Sequence, residues 1–139
     1  MIVADTGAIL ALLDRSDRHH TAVRKLYEER PDTWLLPWAI LPEIDYLVAS
    51  ELGARAQVAF LADLADGSFA VEHGIHEDLV RAQAISRKYR SLRLGLVDAV
   101  VIAVAERTGA DAIATLDLRH FGAVKIDGAP LLVPRDTRL

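Results

Sequence analysis

Four carboxylates lie where a charged side chain is costly to place: Asp5, Glu43, Asp98 and Asp117. Asp98 is the clearest case, because it is the only charged residue in the run GLVDAVVIAVA at positions 95–105. A buried charge without a partner costs several kcal/mol, and carboxylates crowded together repel one another and take up protons. A divalent cation bound among the four would offset the cost of all of them. Such a site suits hydrolysis of a phosphodiester, because a metal ion activates water and stabilises a leaving oxygen.

The available donor atoms indicate which ion. The chain has no cysteine, and the pairs His19-His20 and His73/His76 do not have the spacing of a zinc site. We expect these histidines to be solvated surface or loop residues. Oxygen ligands favour Mg²⁺ or Mn²⁺ over zinc.

Each acid also has an ordinary structural explanation. Asp5 could cap a helix, Asp117 could form an Asx-turn, and Glu43 and Asp98 could complement the dipoles of helix N-termini. The set is harder to explain in this way. Asp98 precedes seven apolar residues, and Glu43 lies among Ile40, Leu41 and Ile44. We therefore expect both side chains to be shielded from water and interpret the four acids as metal ligands.

The elements that hold these acids alternate between strand and helix. Apolar segments predict strands at 1–5, 33–37, 69–73, 111–117 and 130–134. Periodicity and end signals predict helices at 6–14 with Thr6 as N-cap, at 17–30, 38–52, 53–67 and 76–92, and at 96–109 with Gly109 ending the helix. This alternation predicts an α/β fold whose parallel sheet is covered on both faces. Ligands bind beyond the carboxyl ends of the strands in such folds, which is where Asp5 and Asp117 lie.

Length and composition limit the class of protein. We expect 139 residues with 52% apolar residues to form one domain, 1–139, with a substantial core. A net charge of −4 means that any binding to nucleic acid must depend on a local basic patch. The absence of cysteine suits a reducing compartment. We expect no signal peptide and no membrane span, and therefore a cytoplasmic protein.

Three segments together resemble the PIN-domain nucleases, and more narrowly the VapC toxins of toxin–antitoxin pairs. They are IVADTGAILALLD at the start, PE at 42–43, and LVDAVVIAVAERTGADAIATLDLRHF from position 96. The likeness covers essentially the whole chain, with the four acids in the family's order. It implies a three-layer α/β/α fold with a central, mainly parallel sheet, and Mg²⁺- or Mn²⁺-dependent endoribonuclease activity. It also implies neutralisation by a small VapB-type antitoxin, and a homodimer that forms a heterotetramer or larger assembly with it.

The resemblance also implies roles for individual residues. Asp5 and Asp98 match direct metal ligands, while Glu43 and Asp117 match acids that act through water. Thr115 matches the hydroxyl near the metal-bound water, which adds it to the catalytic set of Asp5, Glu43, Asp98 and Asp117. Thr6 is expected to support the ligand Asp5 without binding the metal itself. Gly7 stands where the family more often has serine, which leaves open only the role of a hydroxyl at that position.

Basic residues near the acids have two interpretations. Arg87, Lys88, Arg90 and Arg93 surround Tyr89. They could be solvated cations that complement the C-terminus of a helix, or a rim that binds RNA phosphates, with Tyr89 stacking on a base. Arg119 is close enough in sequence to Asp117 to reach a substrate phosphate or to screen the acids. We expect His120 to pack with Phe121 at a turn.

Other functions fit the sequence less well. Haloacid-dehalogenase-like and receiver-like domains also place an Asp after the first strand. The former requires a second Asp where this chain has Gly7, and the adjacent acids and late lysine of the latter are missing. The other alternative is a non-catalytic PIN-like module that binds RNA or protein. The four intact acids argue against it.

Overall fold

Five short strands form one sheet in the computed structural model, which describes residues 1–136. They are β1 (Ile2–Ala4), β2 (Trp34–Pro37), β3 (Ala70–Glu72), β4 (Ala112–Ala114) and β5 (Leu131–Val133). The strand order is β3-β2-β1-β4-β5, and every neighbouring pair is parallel. The predicted parallel sheet is therefore confirmed for the described residues. Residues 137–139 of the predicted domain lie outside them.

Helices cover both faces of this sheet, so the predicted three-layer α/β/α fold is also confirmed. Within residues 1–136 the α-helices are α1 (Thr6–Leu13), α2 (His20–Glu29), α3 (Leu41–Glu51), α4 (Ala54–Ala65), α5 (His76–Lys88), α6 (Leu96–Thr108) and α7 (Leu118–Phe121). Connections that leave a strand, form a helix and return to a parallel strand give this layering, because right-handed crossovers place helices against the sheet. No described helix combines the length and apolar composition that a membrane crossing requires.

The core lies between the central strands and α6. Residues 2–4 of β1, 112–114 of β4 and 99–105 of α6 are all buried. A strand buried on both faces has no polar side to present, which explains why β1 and β4 are apolar at every position. The first turn of α6 leaves this core, since Leu96 is 64% exposed.

Several predicted boundaries need correction. The strand predicted at 111–117 ends at Ala114, so Asp117 follows the strand and caps α7. The helix predicted at 76–92 ends at Lys88 and continues as a 3₁₀ turn, Arg90–Leu92. The N-cap of α1 is Asp5 and not Thr6, because the Asp5 carboxylate accepts a hydrogen bond from the Thr6 backbone N–H. Gly109 ends α6 as predicted, with the positive φ of 63° that glycine tolerates.

Candidate active site

The parallel pairing of β1 and β4 brings two of the predicted acids to one edge of the sheet. Ala4 pairs with Ala114, so Asp5 and Thr115 leave neighbouring strands at the same level. The Thr115 hydroxyl donates to Oδ2 of Asp5 at 3.0 Å and accepts from the Asp117 backbone N–H at 3.0 Å. A single buried hydroxyl thus connects the two acids that follow these strands.

Asp98 reaches the same crevice from the first turn of α6. One carboxylate oxygen of Asp98, one of Asp117 and a ring nitrogen of His120 all lie within 4.8 Å of one another. The expectation that Asp98 is shielded from water is only partly correct, since its side chain is 21% exposed. The reason is the emergence of the first turn of α6 from the core, which leaves Asp98 half-buried at the rim of the crevice.

Burial and mutual repulsion make full ionisation of this cluster unfavourable. Burial, with repulsion from Asp98 and Asp117, raises the pKa of Asp5 to about 6, although hydrogen bonds from Thr6 and Thr115 act in the opposite direction. Burial, followed by repulsion from Asp117 and Glu43, also raises the pKa of Asp98, while His120 opposes this rise. The crevice therefore holds more negative charge than its own residues compensate, which is the environment that a bound cation would relieve.

Glu43 lies in the first turn of α3 and is exposed. The expectation that its apolar neighbours shield it from water is wrong, because Ile44 and Val48 form the buried face of α3 while Glu43 lies outside it. Its charge nevertheless contributes to the raised pKa of Asp98, which places Glu43 on the same side of the molecule as the other acids.

Thr6 supports Asp5 through its backbone and not through its hydroxyl. The Thr6 N–H donates to Oδ1 of Asp5 at 2.8 Å. The Thr6 Oγ1 is buried and has no hydrogen-bond partner among residues 1–136. Asp5 therefore acts as the N-cap of α1. Its carboxylate accepts a hydrogen bond from the Thr6 N–H, which has no partner within the helix.

His120 is the residue beside the acids that the sequence interpretation did not place at the candidate site. Its Nδ1 lies 2.8 Å from Oδ2 of Asp117 and 3.3 Å from Oδ2 of Asp98, and its backbone N–H donates to Oδ1 of Asp117 at 3.1 Å. The expectation that His120 packs with Phe121 at a turn did not include these contacts with the acids. The sequence signal was the spacing of three residues, which places Asp117 as the N-cap and His120 in the first turn of α7.

The predicted basic residues lie at the surface. Arg87, Lys88, Arg90, Arg93 and Arg119 are all exposed, and none of them forms an ion pair with a carboxylate within residues 1–136. Helices α5 and α6 pack antiparallel, as the contacts of Arg81 with Glu106 and of Arg107 with Asp78 show. The basic segment at the end of α5 therefore lies at the end of the helix pair that carries Asp98 in the first turn of α6.

Fold and site together define an α/β/α protein with an acidic crevice at the carboxyl edge of its sheet. A family model described as the PIN domain matches residues 2–126. The chain is 33% identical to Ribonuclease VapC26 of Mycobacterium tuberculosis over 124 residues, which are 89% of this chain and 92% of that protein.

Solved structures are similar over nearly the whole chain. VapC20 of Mycobacterium tuberculosis, a toxin that cleaves the sarcin–ricin loop, has a TM-score of 0.77 at 24% identity, covering 91% of this chain and 98% of that one. DNA-bound VapBC from Salmonella typhimurium has a TM-score of 0.72 at 16% identity, covering 94% and 95%. The chain belongs to the PIN-domain family, and the assignment made from its motifs, to the PIN-domain ribonucleases of VapC type, is confirmed.

Proposed function

We propose that this protein is a Mg²⁺- or Mn²⁺-dependent endoribonuclease that acts as the toxin of a VapBC-type pair. The main support is the convergence of Asp5, Asp98 and Asp117 at the carboxyl edge of the sheet, where burial and repulsion also raise the pKa of Asp5 to about 6. A cluster held only for stability would have a cation or hydrogen-bond donors sufficient to keep its acids ionised. The identity to Ribonuclease VapC26 supports the same activity.

The residues present fit a divalent ion. Carboxylate oxygens, which suit both Mg²⁺ and Mn²⁺, converge with one imidazole nitrogen in a crevice that is partly open to solvent. Asp5, Glu43, Asp98 and Asp117 would hold the ion. When bound, it supplies Lewis-acid activation of water and of the scissile phosphate.

The other residues of the site orient these acids and the substrate. Thr115 holds Asp5 through its hydroxyl and Asp117 through the backbone N–H of Asp117, so one side chain sets the separation of two carboxylates. We propose that Arg119 and the basic segment Arg87, Lys88, Arg90 and Arg93 bind RNA phosphates beside the crevice. Their exposure, and their freedom from ion pairs within residues 1–136, leave these cations available to bind phosphate.

The partner we propose is a small VapB-type antitoxin. The VapBC structures from Salmonella typhimurium and Rickettsia felis are complexes of this kind. Glu43 lies at the start of α3, where a groove of about 640 Å³ is lined by Trp38, Leu41, Leu61 and Leu64. Such a groove suits the apolar face of an amphipathic segment. An Arg from that segment could then enter the crevice and bridge two carboxylates.

We further propose that residues 1–139 form a single domain that dimerises and assembles with the antitoxin. The cytoplasmic location stays a prediction.

Inhibition of the nuclease by an Arg inserted from the antitoxin can be tested directly. We expect excess Mg²⁺ to weaken the complex, and replacement of the inserted Arg by Ala to restore cleavage. A complex that stays inhibited after every basic residue of the segment is changed to Ala would show that another mechanism operates.

The activity is tested by incubating purified protein with total RNA, with added Mg²⁺ or Mn²⁺ and with EDTA. Asp98→Asn keeps the shape of the side chain and removes its charge. Asp66→Asn is the matched control. Asp66 lies between α4 and β3, at the amino ends of the strands, whereas the crevice lies at their carboxyl ends. We expect metal-dependent cleavage by the parent and the control, and none by Asp98→Asn. RNA binding without cleavage under every metal condition would instead indicate a non-catalytic PIN-like module.

A further inference from the structure

Three side chains at the N-terminus of α7 and the start of α6 form the most compact donor set of the described residues. Oxygens of Asp98 and Asp117 and a ring nitrogen of His120 lie within 4.8 Å of one another. Asp5 is not part of this set, although it is the most buried of the four acids at the crevice. All three members are half-buried, so an ion can enter from solvent.

The two separations that involve His120 are close to those between neighbouring ligands of one metal ion, and the third is at most 4.8 Å. Nδ1 of His120 lies 2.8 Å from Oδ2 of Asp117 and 3.3 Å from Oδ2 of Asp98. Neighbouring ligands in an octahedron with metal–ligand distances of about 2.1 Å are separated by about 3.0 Å. A single ion could therefore contact all three atoms with small shifts of the side chains.

Imidazole changes the type of ion that such a set prefers. Mg²⁺ selects oxygen ligands and retains its water molecules, whereas Mn²⁺ binds nitrogen more readily because it is a transition-metal ion, for which imidazole is a better ligand. A site that includes one histidine among carboxylates should therefore distinguish these two ions, and a site of carboxylates alone should do so less strongly.

We propose that His120 is a direct metal ligand through Nδ1, together with Asp98 and Asp117, and that it makes the site prefer Mn²⁺ to Mg²⁺. This proposal rests on the proposed function and specifies which ion the same crevice selects. Ligation through Nδ1 requires the tautomer that carries its proton on Nε2, since the lone pair of Nδ1 is given to the ion. Asp117 then becomes a direct ligand instead of acting through water.

Metal titrations by calorimetry test the selectivity in the parent, His120→Ala and Asp98→Asn, each with Mn²⁺ and with Mg²⁺ at one fixed pH. His76→Ala is the matched control, because His76 is exposed at the start of α5. We expect His120→Ala to weaken Mn²⁺ binding by about tenfold or more and Mg²⁺ binding by less than about threefold. Unchanged Mn²⁺ affinity, or an equal reduction for both ions, would overturn the proposal.

Pulsed electron paramagnetic resonance of the Mn²⁺ complex tests direct ligation. A bound imidazole couples its ¹⁴N nucleus to the metal, and we expect this coupling in the parent and in His76→Ala but not in His120→Ala. If His120→Ala does not fold, labelling the histidines of the parent with ¹⁵N replaces that comparison, because the coupling then changes isotope. A parent complex without histidine coupling overturns the proposal.

The two hypotheses fail in different ways. If Asp98→Asn no longer binds either metal while His120→Ala retains both, the acidic site stands and His120 is not a ligand. If Asp98→Asn binds both metals like the parent, the acidic site of the proposed function is wrong, and the role of His120 falls with it.

Discussion

Asp5 is the carboxylate whose ionisation should cost the fold most, and Asp5→Asn removes that cost. The pKa of Asp5 is raised from its ordinary value of 3.8 to about 6, chiefly by burial. An acid whose pKa is raised by folding favours the folded state while protonated. This contribution is complete below pH 3.8 and is lost as the pH rises through about 6. Above that pH the metal-free parent carries the full penalty of the buried charge.

The size of this stability change follows from the ordinary and the raised pKa of Asp5. The difference between about 6 and 3.8, at about 1.36 kcal/mol per pKa unit, corresponds to about 3 kcal/mol. Asn also disturbs the hydrogen bonds to Thr6 and Thr115, but that change does not depend on the ionisation of Asp5 and cancels when two pH values are compared. We therefore expect the stability of Asp5→Asn relative to the parent to increase by up to about 3 kcal/mol between these limits.

Urea unfolding in EDTA, followed by tryptophan fluorescence, measures this difference at a series of pH values. Trp34 is a suitable probe because its side chain is buried beside β1. Asp66→Asn is the control of opposite sign, since hydrogen bonds from Ser68 lower the pKa of Asp66. That group stabilises the fold above its unfolded pKa and ceases to do so as the pH falls. Parallel pH profiles for the parent and Asp5→Asn would refute the account of an uncompensated buried charge.

Three further predictions concern the metal and the RNA. Mg²⁺ or Mn²⁺ should raise the melting temperature measured by calorimetry relative to EDTA, with about 2.7 kcal/mol of stabilisation when the free ion is at 100 times its Kd. If neither ion shifts the melting temperature, the acid cluster is structural. Thr115→Val should lower the cleavage rate by about 10- to 100-fold at unchanged RNA affinity, because the hydroxyl that donates to Asp5 is removed; a gel assay with a binding titration checks both, and a parent-like rate would contradict it. Changing Arg90, Arg93 and Arg119 to Gln should weaken RNA binding and reduce the salt slope by about 0.7 for each phosphate that the variant no longer neutralises; an unchanged slope in filter-binding titrations would mean that these cations are merely solvated.

The sequence alone predicted the fold class and the edge of the sheet where the acids gather. Strands buried on both faces must be apolar at every position, so β1 and β4 are recognisable without any tertiary information. Parallel strands place their carboxyl ends at one edge, so an acid that follows each strand predicts a shared crevice. The end of α6 at Gly109 was also predictable from the sequence, because few other residues adopt the positive φ that ends this helix.

Tertiary structure decided how exposed each acid is and what surrounds it. Apolar neighbours in sequence suggested that Asp98 and Glu43 avoid water, yet α6 leaves the core in its first turn and Glu43 lies outside the buried face of α3. Exposure depends on where a helix end lies relative to the core, and hydrophobicity along the chain does not contain that information. His120 joins the acids because α7 turns back toward α6. Its contact with Asp98 spans 22 positions of the sequence and depends on the packing of α7 against α6.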